Sequence, residues 1–274
     1  MLARECSLDD IAKIKRGMLE KFGKDAEIKI EVFAHGAMCV SQSGRCFMST
    51  FACGKSANRG ECMQPCRREY RIEDANGNGF VVGNGYVLSP KDLCTIGFIE
   101  KVFAAGADSL KIEGRNRNPE YVFATVSAYR KLRDFYFANR RKPNFAADFA
   151  KMKSDAIAEV SKVFNRGFSD GFFMGKPVGD WTSDGNKATA KKRIVGHVVR
   201  FFPKISVAEI SIDDTPISVG DKIQIEGKNS GYTEVLVESM QIEGKNVQNA
   251  PKGSNIGLKV PTPLKKADLV YILK

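Results

Sequence analysis

Apolar positions recur at helical spacing through Leu8, Ile11, Ile14, Met18 and Phe22. Ser7 and Asp10 are placed like a capping box and Gly23 follows, which predicts one helix between them. The next segment, EIKIEVF, alternates Ile28, Ile30 and Val32 with charged residues and predicts a strand. Residues 34 to 70 have no clean period and are dense in Gly, Cys, Ser and Arg, which predicts a long functional loop with room for short helices. Turns are expected at Asn76 to Gly79 and at Asn84-Gly85. Ser89, Pro90 and Asp92 read as a helix start, continued by Leu93, Ile96, Ile99 and Phe103 and closed by Gly106. SLKIEG predicts the next strand. Pro119 opens a long helix through Tyr121, Val122, Val126, Tyr129 and Leu132, and a second helix is expected from about Phe145 to Phe164.

The pattern then changes. From Arg166 to Ala190 the chain is rich in Gly, Asp and Ser and reads as a linker or wrapping segment. Beyond it, IVGHVVRFF, VAEISI, DKIQIEG, TEVLVESMQI, IGLKV and LVYIL alternate apolar and polar residues between Gly, Asn and Pro. They predict a separate all-β barrel of roughly 80 residues. The expected organisation is an α/β domain over 1–175, a linker over 176–192 and the β-barrel over 193–274. The barrel has no cysteine and only one histidine, His197, so presenting a surface is its expected role.

A length of 274 residues suffices for one large domain or two ordinary ones, and 43% hydrophobic residues suffice for a real core. No run of about 18 apolar residues occurs, so no membrane-spanning helix is expected. The opening MLARECSLDD carries acidic residues and lacks the apolar stretch of a secretory signal, so a cytoplasmic location is expected. A net charge of +11 favours polyanionic partners such as tRNA or other RNA, and it serves plain solubility equally well.

Seven cysteines in a chain read as cytoplasmic are not a disulfide framework. Five of them, Cys39, Cys46, Cys53, Cys62 and Cys66, fall within 28 residues, with Cys94 downstream and Cys6 apart. Cys39 and Cys46 form one pair and Cys62 and Cys66 another, and four soft thiolates suit zinc or an iron–sulfur cluster. Neither pair has the C-x2-C spacing of a zinc ribbon. Gly36, Gly44, Gly54 and Gly60 let the backbone wrap a cluster, and Arg45, Arg59, Arg67 and Arg68 would stabilise thiolates. Cys53 and Cys94 remain alternative ligands for any of the four.

The stretch EVFAHGAMCVSQSGRCFMS resembles the signature of the collagenase-like peptidase family U32, with E-x-F, then H-G-A-x-C, then S-G-R-C and a Ser. ANRGECMQPCRREY, LSPKDL and SLKIEGR resemble the same family in the same order, and together these cover residues 1 to about 175. RGFSDGFFMG and the β-rich tail are similar to members that carry a C-terminal barrel resembling translation-factor domain two. The resemblance implies a 4Fe-4S cluster on Cys39, Cys46, Cys62 and Cys66, with Zn as the alternative. It implies hydroxylation of a tRNA wobble uridine or a ribosomal cytidine, with prephenate as a co-substrate, or proteolysis as the family was named. Similar members begin with a longer barrel portion that ends near this chain's LARECSL. The implied fold is therefore α/β, the back half of a (β/α) TIM-like barrel followed by a small all-β barrel. A separate N-terminal half-barrel chain, or a longer parent, would supply the front half.

Strand C-terminal ends face the active site in such a barrel, which makes His35, Glu113 and Arg115 the candidate catalytic residues. His35 suits acid–base chemistry, and Arg115 suits a carboxylate or RNA phosphate. Each has a plain structural alternative: a histidine bonded to the cysteine loop, and an ion pair at a rim. Arg130, Lys131, Arg133, Arg140, Arg141 and Lys142 interleave with Phe135, Tyr136 and Phe137, a pattern that suits RNA and, more often, a helix with one core face. Lys187, Lys191, Lys192 and Arg193 have the same standing. Three functions stay open: an iron–sulfur RNA-modifying enzyme, a peptidase, and a non-catalytic Zn- and RNA-binding fragment. No H-E-x-x-H or G-x-S-x-G motif supports the peptidase.

Overall fold

The computed structural model describes residues 1–23, 27–70, 72–80, 88–115, 117–177, 181–182 and 185–273. The chain divides into two units, residues 1–115 with 125–188, and residues 116–124 with 189–274. The expected turn at Asn84-Gly85 and part of the expected linker lie outside the described residues.

Helix α1 spans Leu8–Phe22. The Ser7 hydroxyl accepts from the Asp10 N–H, Asp10 Oδ2 accepts from the Ser7 N–H, and Gly23 closes the helix at φ 80°. Strand β1 (Glu31–Ala37) starts later than the alternation predicts and runs further, into the segment read as loop. The Ile30 N–H is taken by Asp108 Oδ2 at 2.7 Å, and the Ile30 carbonyl accepts from Asp108 and Ser109. Those bonds spend the backbone groups just before the ladder. Helix α2 is Met48–Cys53. Strands β2 (Ile72–Glu73) and β3 (Gly79–Phe80) pair around the expected NGNG turn, where Asp74 accepts from the N–H groups of Asn76 and Asn78.

The helix expected from Ser89 to Gly106 is half strand. Asp92–Cys94 form β4, and α3 spans only Ile99–Ala104. Asp92 donates its N–H to the Gly167 carbonyl and Thr95 donates its own to Ala34, while Leu93 and Cys94 are buried. A ladder on both sides outweighs the local helical spacing. Strand β5 (Ser109–Ile112), helices α4 (Pro119–Asn139) and α5 (Phe145–Lys162) follow as expected. Strand β6 (Phe168–Ser169) lies in the stretch read as linker. The sheet order is β5-β1-β4-β6. It is mixed, with β1–β5 and β4–β6 parallel and β1–β4 antiparallel. Its core includes Val32, Ala34, Ile99, Val102, Leu132 and Val160. No helix of the described residues is long and apolar enough to cross a membrane.

The second unit holds β7 (Lys192–Phe202), β8 (Val207–Ile212), β9 (Ile217–Ser218), β10 (Lys222–Gly227) and β11 (Gly231–Leu236). It continues with β12 (Met240–Ile242), β13 (Lys245–Val247), β14 (Asn249–Ala250), β15 (Asn255–Lys259) and β16 (Leu269–Leu273). Eight strands form one antiparallel sheet in the order β11-β10-β16-β7-β8-β15-β12-β13, and β14 pairs with β9. Alternate residues such as Ala208, Ile210 and Ile212 turn into one apolar core. Lys192, one of the basic residues whose pattern suits RNA, is ion-paired within this unit to Glu120 and Glu226.

Candidate metal centre

The cysteine-rich segment leaves the end of β1 and returns before β4. Cys39 follows the strand, and its sulfur accepts from the Ser41 N–H at 3.4 Å. Cys46 is buried just ahead of α2. Cys62 is drawn to α2 by Ser49, whose hydroxyl donates to the Cys62 sulfur at 3.8 Å and accepts from the Met63 N–H at 3.0 Å. Cys66 lies buried in the turn Pro65–Arg67.

The electrostatics of Cys66 register the other three expected ligands. Burial pushes its thiol up, the Arg67 charge opposes that, and Cys39, Cys62 and Cys46 each push it further up. The three other expected ligands are therefore within electrostatic reach of Cys66. Four thiolates so placed repel one another, and a cation or cationic cluster is what would offset that repulsion. The donor set fits a thiolate-held metal group. Among the described residues, no three His, Cys, Asp or Glu side chains yet stand close enough to hold one ion. A tetrahedral zinc would need its sulfurs at roughly 3.8 Å, given a Zn–S bond of about 2.3 Å. Cys53 is exposed at the end of α2, and Cys94 is buried opposite His35 in the β1–β4 ladder.

The loop is pinned from three sides. Arg67 donates to Ser89 Oγ at 3.0 Å, to the Pro90 carbonyl at 2.6 Å and to the Met38 carbonyl. Arg4 donates to the Ala37 carbonyl at 2.9 Å, and Glu5 accepts from the Ser43 hydroxyl at 3.0 Å. Arg166 ion-pairs with Asp92 at 3.4 Å and donates to Gln64 at 3.4 Å, both partners of the pair being buried. Sequence reasoning missed Asp92 and Arg166. Their sole local signal is a charged residue at the edge of an apolar run.

The candidate catalytic residues sit on neighbouring strands. His35 is in β1, 1% exposed, with its ring against Tyr129 and Phe168. Glu113 follows β5 and gives its N–H to the His35 carbonyl at 2.8 Å. Gly36 makes this approach possible: at φ 125°, a Cβ there would lie 2.7 Å from both Glu113 Cβ and its carbonyl oxygen. Glu113 Oε1 accepts from the Arg115 N–H at 2.9 Å. Arg115 reaches the cysteine segment, since a Cβ on Gly60 would stand 3.2 Å from Arg115 Nη1. Of the basic helix residues, Arg130 and Arg133 pair with Asp134, and Arg140 lies over Tyr136 and Phe137. Tyr136 in turn packs on Phe103, Phe145 and Phe149, so this helix does have a core face.

These features define a class: an α/β protein with a thiol-rich segment beside a buried histidine, joined to an antiparallel β unit. Within it, the chain belongs to peptidase family U32, whose signature matches residues 1–183. A collagenase of Porphyromonas gingivalis is 36% identical over 276 residues, covering 99% of this chain and 65% of that protein. An uncharacterised protease of Methanocaldococcus jannaschii is 38% identical over 283 residues, covering 100% of this chain and 66% of that protein. The tRNA hydroxylation protein P1 of Bacillus subtilis is 38% identical over 182 residues, covering 65% of this chain and 40% of that protein. The chain spans about two thirds of the length of the relatives that it matches from end to end.

Proposed function

We propose that this chain is part of an iron–sulfur RNA-modifying enzyme that takes part in hydroxylating a tRNA wobble uridine. In this reading Cys39, Cys46, Cys62 and Cys66 hold a 4Fe-4S cluster. The observation that carries it is the crowding of five cysteines into 28 residues, a segment in which Cys66 feels the charge of Cys39, Cys62 and Cys46. When bound, such a cluster supplies electron transfer or Lewis-acid chemistry. The chain's own residues do the rest. His35 moves a proton at the end of β1, and Arg115 receives a carboxylate such as that of prephenate. Glu113 holds the turn that places Arg115, through the bond to its N–H.

Phe47, the residue that caps α2, and Phe51, one turn further on, are 60% and 88% exposed, and Arg45, Lys55, Arg59 and Arg68 are exposed along the same segment. Exposed aromatics among cations suit stacking on RNA bases and contact with phosphates. The first unit would be the back half of a (β/α) barrel, completed by sequence outside this chain, with β4 as its departure from an all-parallel sheet.

The second reading is a collagenase-like peptidase. It is favoured by end-to-end matches to proteins named collagenase and protease. His35 faces Tyr129 in the interior. His197 bonds one oxygen of Asp213 at 2.6 Å while Ser211 bonds the other. The carboxylate thus stands between histidine and serine, whereas a nucleophilic triad needs the histidine in the middle.

Anaerobic purification followed by iron, sulfide and zinc quantification tests the proposal, with Cys62→Ala as the comparison. About four irons and four sulfides, lost in the variant, are expected. Stoichiometric zinc would instead support the Zn- and RNA-binding fragment. Gelatin cleavage without metal, lost on changing His35, would establish the peptidase.

A further inference from the structure

Tyr129 carries one hydroxyl proton and meets several partners. Its oxygen stands 2.7 Å from the Ala34 carbonyl oxygen. It also stands 3.0 Å from the Thr95 nitrogen, 3.3 Å from Thr95 Oγ1 and 3.4 Å from His35 Nδ1. Two oxygens at 2.7 Å need a proton between them, and a carbonyl has none to give. The Tyr129 hydrogen is therefore committed to Ala34. Burial also pushes the Tyr129 phenol well up, which keeps that hydrogen in place.

The hydroxyl oxygen can then only accept. Thr95 donates its N–H, shared with the Ala34 carbonyl. A lone pair on His35 Nδ1 would face a lone pair on Tyr129, inside the protein, where such a clash is unscreened. A hydrogen on Nδ1 turns the same contact into a bond.

We infer that Tyr129 is a positioning residue that fixes His35 with a hydrogen on Nδ1, on the side of the ring that faces α4. This holds in both protonation states of the ring, since the imidazolium also carries a hydrogen on Nδ1. It builds on the reading of His35 as the acid–base group. The β1–β4 ladder that sets Thr95 and Ala34 side by side also sets the tautomer. Tyr129 comes from α4, so this contact ties the histidine to a helix.

The test is two-bond proton–nitrogen NMR on the full chain with 15N-labelled histidine, at a pH where the imidazole is neutral. The chain has two histidines, and His197→Gln assigns the spectrum. The expected result is a pyrrole-type signal from His35 Nδ1. Tyr129→Phe is expected to shift the tautomer ratio toward Nε2–H by about fivefold, the worth of one hydrogen bond. Phe168→Leu, which alters the ring's packing and not the bond, is expected to leave the ratio alone. A pyridine-type Nδ1 in the unmodified chain overturns the inference, as does a ratio that moves equally in both variants. If Tyr129→Phe fails to fold, the unmodified chain's spectrum still decides. The readout needs no substrate, so a missing RNA-modifying activity with the expected tautomer would count against the proposed function alone.

Discussion

Cys94 illustrates what burial does to a single thiol. Burial pushes its pKa from 9.0 to about 11, with the N–H of Ile96 opposing. The folded chain thus holds the proton more tightly than the unfolded chain. The resulting stability is whole below pH 9.0 and is lost as pH rises toward about 11. Two pKa units correspond to about 3 kcal/mol. Urea unfolding from pH 8 to pH 11 on the wild type and on Cys94→Ala measures it. The wild type is expected to lose stability more steeply across that window, and parallel curves would rule out the effect. A cysteine in the row of letters carries no sign of this. The thiols were legible as a group because five fall within 28 residues, whereas Tyr129 and Cys94 meet only through pairing 35 residues apart.

At the scale of elements, the Asp92–Arg166 pair joins β4 to the segment leading into β6. Besides the ion pair, Asp92 accepts from the Arg166 N–H at 3.1 Å. Removing one partner of a buried pair leaves a charge without its counterion and costs roughly 3–5 kcal/mol. Arg166→Met is expected to lose about that much in chemical denaturation, and a loss below about 1 kcal/mol would show the pair to be dispensable. Legibility follows the same division. Helices α1, α4 and α5 and strands β5, β8 and β16 carry their period in their own residues, so their existence could be read directly. Strand β4 could not, because its three residues inherit their conformation from β1 and β6 on either side. Strand β1 was misplaced by four residues for a similar reason, the side chain of Asp108 having claimed the Ile30 N–H.

At the scale of the molecule, the net charge of +11 gives the proposed RNA contact a measurable signature. Four phosphate contacts by Arg45, Lys55, Arg59 and Arg68 would make log affinity for single-stranded RNA fall with log salt at a slope of about −3. The double variant Arg45→Gln/Arg59→Gln is expected to flatten that slope by about 1.4. Binding that ignores salt would sink the idea of phosphate contact by this segment.

Residues 116–124 group with 189–274, although 64 residues separate the two stretches. Glu120, one of the two carboxylates on Lys192, comes from the shorter stretch, as does Asn118, which donates to Glu226. A gene fragment cut at Thr189 would therefore encode a β unit stripped of part of its own ion-pair cluster. The compact unit is discontinuous in the gene. Expressing it alone calls for a designed splice, with the 116–124 peptide grafted ahead of β7 through a flexible tether.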